Sequence, residues 1–87
     1  MNIEKKIRCY ILENFLFTDD ESVLNNDASF LGAGLIDSTG ILEIILFIEE
    51  TFDLKVFDEE MLPDNLDSVD KLVAFVKRKQ AAMAAAA

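Results

Sequence analysis

The 87-residue chain has no histidine and no tryptophan, one cysteine, one proline and three glycines. Without histidine it can hold neither a Ser-His-Asp or Cys-His catalytic group nor a histidine-containing zinc site. The lone thiol, Cys9, cannot close an internal disulfide or build a cysteine-rich metal centre. No apolar run reaches the ~18 residues of a membrane span. The segment Met1-Asn2-Ile3-Glu4-Lys5-Lys6 lacks the apolar core of a signal peptide. Bases are scarce as well: 8 against 17 acids, for a net charge of −9. Such a chain lacks the basic face of a nucleic-acid binder and is not drawn to anionic membrane surfaces. These absences predict a reduced, cytoplasmic, monomeric and acidic domain that is not an enzyme and holds no metal.

What is present fits one small globular domain, 52% hydrophobic and 29% charged. The charge is segregated. Between Glu13 and Asp70 the only base is Lys55; the others lie at Lys5, Lys6 and Arg8 and at Lys71, Lys77, Arg78 and Lys79. The acidic middle repels itself and suits cationic partners. Divalent cations are expected to bind it diffusely, near Asp19, Asp20, Glu49 and Asp53.

The pattern predicts an all-α domain over residues 1–80: a small bundle of three longer helices and one short one, with a long ordered loop between the first two. Helix one is expected from about Asn2 to Phe17, with Ile3, Ile7, Tyr10, Ile11 and Phe15 on one stripe and Cys9 off it. In the loop, residues 18–37, Asn25–Ser29 reads as turn chemistry. Phe30, Leu31, Leu35 and Ile36 are too apolar for solvent and are expected to enter the core. Helix two is expected from Asp37 or Ser38 to Phe52 or Asp53. Helix three is expected to start at Asp58-Glu59-Glu60 and to be stopped by Pro63. Helix four is expected to be capped by Asp67 or Ser68, with Lys77-Arg78-Lys79 near its negative end. Residues 81–87 form an alanine-rich tail without function, expected to be frayed or a cloning remnant, the alternative being an extension of helix four.

Helix two is more apolar than one buried face requires. Ile41, Ile44, Ile45, Ile48 and Phe52 fall within about 100° of one another and make the core stripe. The far side carries Thr39, Leu42, Glu43, Leu46 and Glu50, with Phe47 on its flank. Apolar contact rimmed by charge is the composition of a protein-docking surface.

A calcium-loop test starting at Asp27 places Gly32 correctly at position six. It then fails, with Leu31 at five and Ser38 at twelve. The segment Gly34-Leu35-Ile36-Asp37-Ser38-Thr39-Gly40, opening an apolar and acidic helix after a long loop, instead resembles the acyl carrier protein family. That family is taken in the broad sense that includes peptidyl and D-alanyl carriers. Its Asp-Ser-Leu stands here as Asp37-Ser38-Thr39. Asn26-Asp27-Ala28-Ser29-Phe30, Glu43, Glu49-Glu50-Thr51-Phe52 and Asp67-Ser68-Val69 agree in order, so the resemblance covers about residues 3–79. Two residues depart from it. Thr39 replaces the usual leucine, and Gly40 replaces an acidic residue of typical fatty-acid carriers. Ser-x-Gly is closer to D-alanyl and specialised stand-alone carriers.

The resemblance implies a non-catalytic carrier. A phosphopantetheinyl transferase would attach 4′-phosphopantetheine from coenzyme A to Ser38, beside Asp37. The arm's thiol would then hold an acyl or aminoacyl thioester. Partners would be the transferase, a loading enzyme such as an ATP-dependent ligase, and acyl-handling enzymes with basic docking surfaces. They would grip Thr39, Leu42, Glu43, Leu46, Phe47 and Glu50. Gly40 is expected to let outside groups approach the first turn, and Ser68 to be only a cap. The competing reading is a small acidic interaction or regulatory module with no prosthetic group.

Overall fold

A computed structural model describes residues 2–86. Met1 and Ala87, the outermost residues of the expected domain and tail, lie outside the described residues. The chain is all-helical: α1 (Ile3–Ile11) leads into a π-helical turn (Leu12–Leu16), followed by α2 (Ser38–Phe52), α3 (Pro63–Leu66) and α4 (Val69–Ala86). Short 3-10 turns lie at Glu21–Val23 and Asp58–Glu60. Among the described residues there is no strand.

Each helix start has a local cause. Asn2 Oδ1 accepts the Glu4 N–H at 2.8 Å and so caps α1. Asp37 Oδ1 accepts the Gly40 N–H at 2.8 Å and caps α2. Ser68 Oγ accepts the Lys71 N–H at 3.1 Å and caps α4. The first helix is continuous to Leu16 only through the π turn. It ends where Phe17 adopts a left-handed backbone, φ 53°, and the Thr18 N–H turns back to the Leu12 carbonyl at 3.1 Å.

One core joins the elements. Ile7, Ile11, Phe30, Ile44, Ile48, Val69, Leu72 and Val76 are fully buried or nearly so. α1 and α3 both pack on α4. The predicted stripe of α2 is confirmed at Ile44, Ile45 and Ile48, with Ile41 and Phe52 half-buried at its borders.

Four expectations about the fold need correction. Pro63 starts α3 rather than stopping it, as its N1 position allows. At N1 the missing N–H costs nothing and the fixed φ is already helical. The acids Asp58–Glu60 form only a 3-10 turn. Leu31 does not enter the core with Phe30 and Ile36 but is 47% exposed. The bases Lys77, Arg78 and Lys79 are not at a helix end, because α4 continues to Ala86. They serve tertiary contacts instead: Lys79 Nζ donates to Glu60 Oε1 at 2.8 Å, and Arg78 to Asn65 Oδ1 at 2.9 Å.

The long loop is held from both sides. Arg8 reaches over from α1 and donates to the Leu24 carbonyl at 2.8 Å, Asn26 Oδ1 at 2.6 Å and the Glu21 carbonyl at 2.7 Å. From the other side, the Asn26 carbonyl accepts the Asp70 N–H at 3.0 Å and the Asp67 carbonyl accepts the Phe30 N–H at 2.8 Å. The loop therefore delivers Asp37 and Ser38 to the surface from a fixed frame.

Candidate functional site

Ser38 is the first residue of α2 and is exposed. Its N–H and that of Thr39 point out of the helix start, where no intrahelical acceptor exists. That end also carries the positive pole of a 15-residue helix dipole. Asp37 is exposed beside it, with Oδ1 committed to the Gly40 N–H. Together these make a nucleophilic hydroxyl at an anion-favouring terminus, accessible to another molecule.

A cavity of about 180 Å³ opens next to Ser38. Its walls are Leu31 from the loop, Ile41, Leu42 and Ile45 from α2, and Met61, Leu62, Pro63 and Leu66 from the α3 region, with Asp67 at its edge. Sequence reasoning missed this feature. A signal was present, since Met61 and Leu62 are apolar residues next to Pro63. Their convergence with Ser38 depends on how α3 lies against α2.

Gly40 does not serve outside groups. It is buried, and a Cβ there would meet Ile36 Cγ2 at 2.5 Å and Phe15 Cε1 at 2.9 Å. The groups that approach the first turn of α2 are the protein's own core.

The outward line of α2 is as the helical wheel placed it. Thr39, Glu43 and Glu50 are exposed, and Leu42 and Leu46 are 55% and 58% exposed. Phe47 is half-buried, one face stacked on Tyr10 with ring centroids 4.0 Å apart. The Tyr10 hydroxyl is pushed above its usual pKa by partial burial and by the charges of Glu43 and Glu50. The acidic field of the face thus extends onto the α1 side.

Among the described residues, no group of three or more acidic or cysteine side chains is placed to hold a metal ion. Asp20 is occupied by the Ser22 N–H and hydroxyl, and Glu49 Oε2 accepts the Val56 N–H at 2.9 Å. None of the helices described is long and apolar enough to cross a membrane.

No protein-family model matches the chain. It is, however, 40% identical over 78 residues to an acyl carrier protein of Buchnera aphidicola subsp. Schizaphis graminum, covering 90% of this chain and 94% of that protein. It is 34% identical over 82 residues to a D-alanyl carrier protein of Streptococcus uberis, covering 92% and 98%. The fold matches the solution NMR structure of a holo acyl carrier protein from Nitrosomonas europaea with a TM-score of 0.75 at 23% identity, over 93% of this chain and 99% of that one.

Proposed function

The chain belongs to the acyl carrier protein family and is a carrier protein; we propose that Ser38 is its attachment point for 4′-phosphopantetheine and that its cargo is an apolar acyl group. The observation that carries the reading is the exposed Ser38 hydroxyl at the N-terminus of α2, beside an apolar cavity. The prosthetic group would supply a flexible arm ending in a thiol that forms the thioester.

The residues present fit such a group. Ser38 Oγ is free to form a bond to the coenzyme A phosphorus that bears pantetheine. The P–O bond to adenosine 3′,5′-bisphosphate breaks, and the hydroxyl proton passes to a base of the transferase. Asp37, with Oδ1 bound to the Gly40 N–H, holds the helix start on which Ser38 stands. The N–H groups at the helix start would then favour the phosphodiester's negative charge. The side chains of Leu31, Ile41, Leu42, Met61 and Leu62 offer a hydrocarbon chain a place out of water close to its root. That lining supports an acyl chain over a D-alanyl group, although a D-alanyl carrier is among the relatives.

Thr39, Leu42, Glu43, Leu46 and Glu50 supply the surface by which a transferase, a loading enzyme and acyl-handling enzymes would hold the carrier, with Phe47 bracing it from below. The test is intact mass after co-expression with a phosphopantetheinyl transferase. The wild type gains one phosphopantetheine and Ser38→Ala gains none. An unmodified wild type, with a known carrier modified in parallel, refutes the assignment and leaves the unmodified interaction module.

A further inference from the structure

One residue ties the loop before Ser38 to the start of α4. The Asp67 carboxylate accepts the Ser29 hydroxyl through Oδ2 and the Leu31 N–H through Oδ1, the latter at 3.1 Å. The Asp67 carbonyl accepts the Phe30 N–H at 2.8 Å. Ser29 Oγ in turn accepts the Gly32 N–H at 2.9 Å. Four consecutive loop residues are thus bound, directly or through Ser29, to position 67. Leu31 and Asp67 both border the cavity beside Ser38. Leu31 is half-exposed although its backbone is held, so it stands as a wall rather than as core. Beyond it the Gly34 N–H returns to the Leu31 carbonyl at 3.2 Å, a turn that Gly34 closes with a φ of 71°.

We propose that Asp67 is a specificity-determining residue: through Ser29 and Leu31 it fixes how far the loop stands from α2 and α3, and so the largest acyl group the cavity can shelter. The inference rests on the carrier reading of Ser38. With the tie intact, the Leu31 wall retreats only by breaking hydrogen bonds to a charged group. A short hydrocarbon chain fits the existing cavity of about 180 Å³. A long one must displace Leu31 or leave its remainder in water. Protection of the thioester should therefore fall with chain length, at a point that Asp67 sets.

The experiment loads Ser38 directly with acyl-phosphopantetheine from acyl-coenzyme A donors of increasing chain length, using a transferase that accepts them. Intact mass confirms each product, and its cleavage by hydroxylamine is timed. In the wild type, long-chain thioesters should be cleaved faster than short-chain ones. In Asp67→Asn and Ser29→Ala the ratio of long-chain to short-chain cleavage should fall on the order of threefold to tenfold, the scale of one lost hydrogen bond. Gly32→Ala strains the same tie from the loop, since its Cβ would lie 3.0 Å from Ser29 Oγ, and should shift the ratio the same way. An unchanged ratio in all three variants, or loss of protection at every length alike, overturns the inference and leaves the carrier reading intact. Absence of any mass gain on wild-type Ser38 overturns both.

Discussion

The ring of Phe15 lies against Gly40 so closely that a Cβ on residue 40 would come within 2.9 Å of Cε1. Through this contact the π turn that ends the first helix rests on the first turn of α2, two residues from Ser38. Ile36, just before the cap, crowds the same point at 2.5 Å. The position of Ser38 is therefore set by packing as much as by the Asp37 cap.

Gly40→Ala should be destabilising although alanine is the better helix former. Overpacking of a filled site typically costs 1–3 kcal/mol, against about 1 kcal/mol gained in helix propensity. A net loss of about 1 kcal/mol in urea unfolding is expected, and it should be recovered in part by pairing with Ile36→Val. A more stable Gly40→Ala protein would show that the contact relaxes freely.

Arg8→Ala should loosen the long loop. Three acceptors on Glu21, Leu24 and Asn26 lose a charged donor. The site is only partly buried, so the expected loss is about 2 kcal/mol rather than the sum of three such bonds. Arg8→Lys should not restore it, because one ammonium cannot span the three acceptors as the guanidinium fork does. Urea unfolding of the two variants measures both statements; full rescue by lysine would reduce the contact to simple charge.

Acid should weaken two ties in a defined window. Partial burial raises the Asp67 pKa, but the bonds from the Ser29 hydroxyl and the Leu31 N–H, the Lys71 charge and the Phe30 N–H together bring it below its ordinary value. Glu60 is lowered by the hydrogen bond from Lys79 and by the Phe57 N–H. A carboxylate lowered by folding adds stability above its unfolded pKa and loses it as pH falls through the folded value. The melting-temperature gap between wild type and the Asp67→Asn, Glu60→Gln double variant should thus be flat near neutrality and shrink below about pH 4. A gap that widens on acidification would reverse the assigned sign.

Charge reversal on α2 should slow modification of Ser38. Glu43→Lys and Glu50→Lys are expected to act strongly at low salt and weakly at high salt, since rim charges govern encounter. Leu46→Ala should weaken transferase binding by ~1–2 kcal/mol with little salt dependence, as an apolar anchor does. Circular dichroism confirms folding, since α2 also carries core residues. Unchanged rates for both reversals, with slowing by reversals on α1, would move the docking face to the first helix.

Much of the site was readable along the chain because its causes are local. The Asp37 cap, the start at Ser38, the stripe of Ile44, Ile45 and Ile48 and the outward Leu42, Glu43, Leu46 and Glu50 all follow from helix geometry and capping within one segment. Pro63 misled for an equally local reason. Proline both ends helices and begins them, and which one applies depends on the chain that follows.

Residue order alone thus determined three of the four helices, an acidic middle and an exposed serine at the head of the most apolar helix. Tertiary structure alone decided that Leu31 turns outward to wall a cavity while its neighbour Phe30 is buried. It also decided that Asp67 binds Ser29 across 38 positions instead of capping α4, and that the freedom of Gly40 is spent on Phe15. Periodicity within a segment says which face of a helix seeks the core. Which distant side chain meets that face depends on how the helices settle against one another, and the cavity exists only where they do.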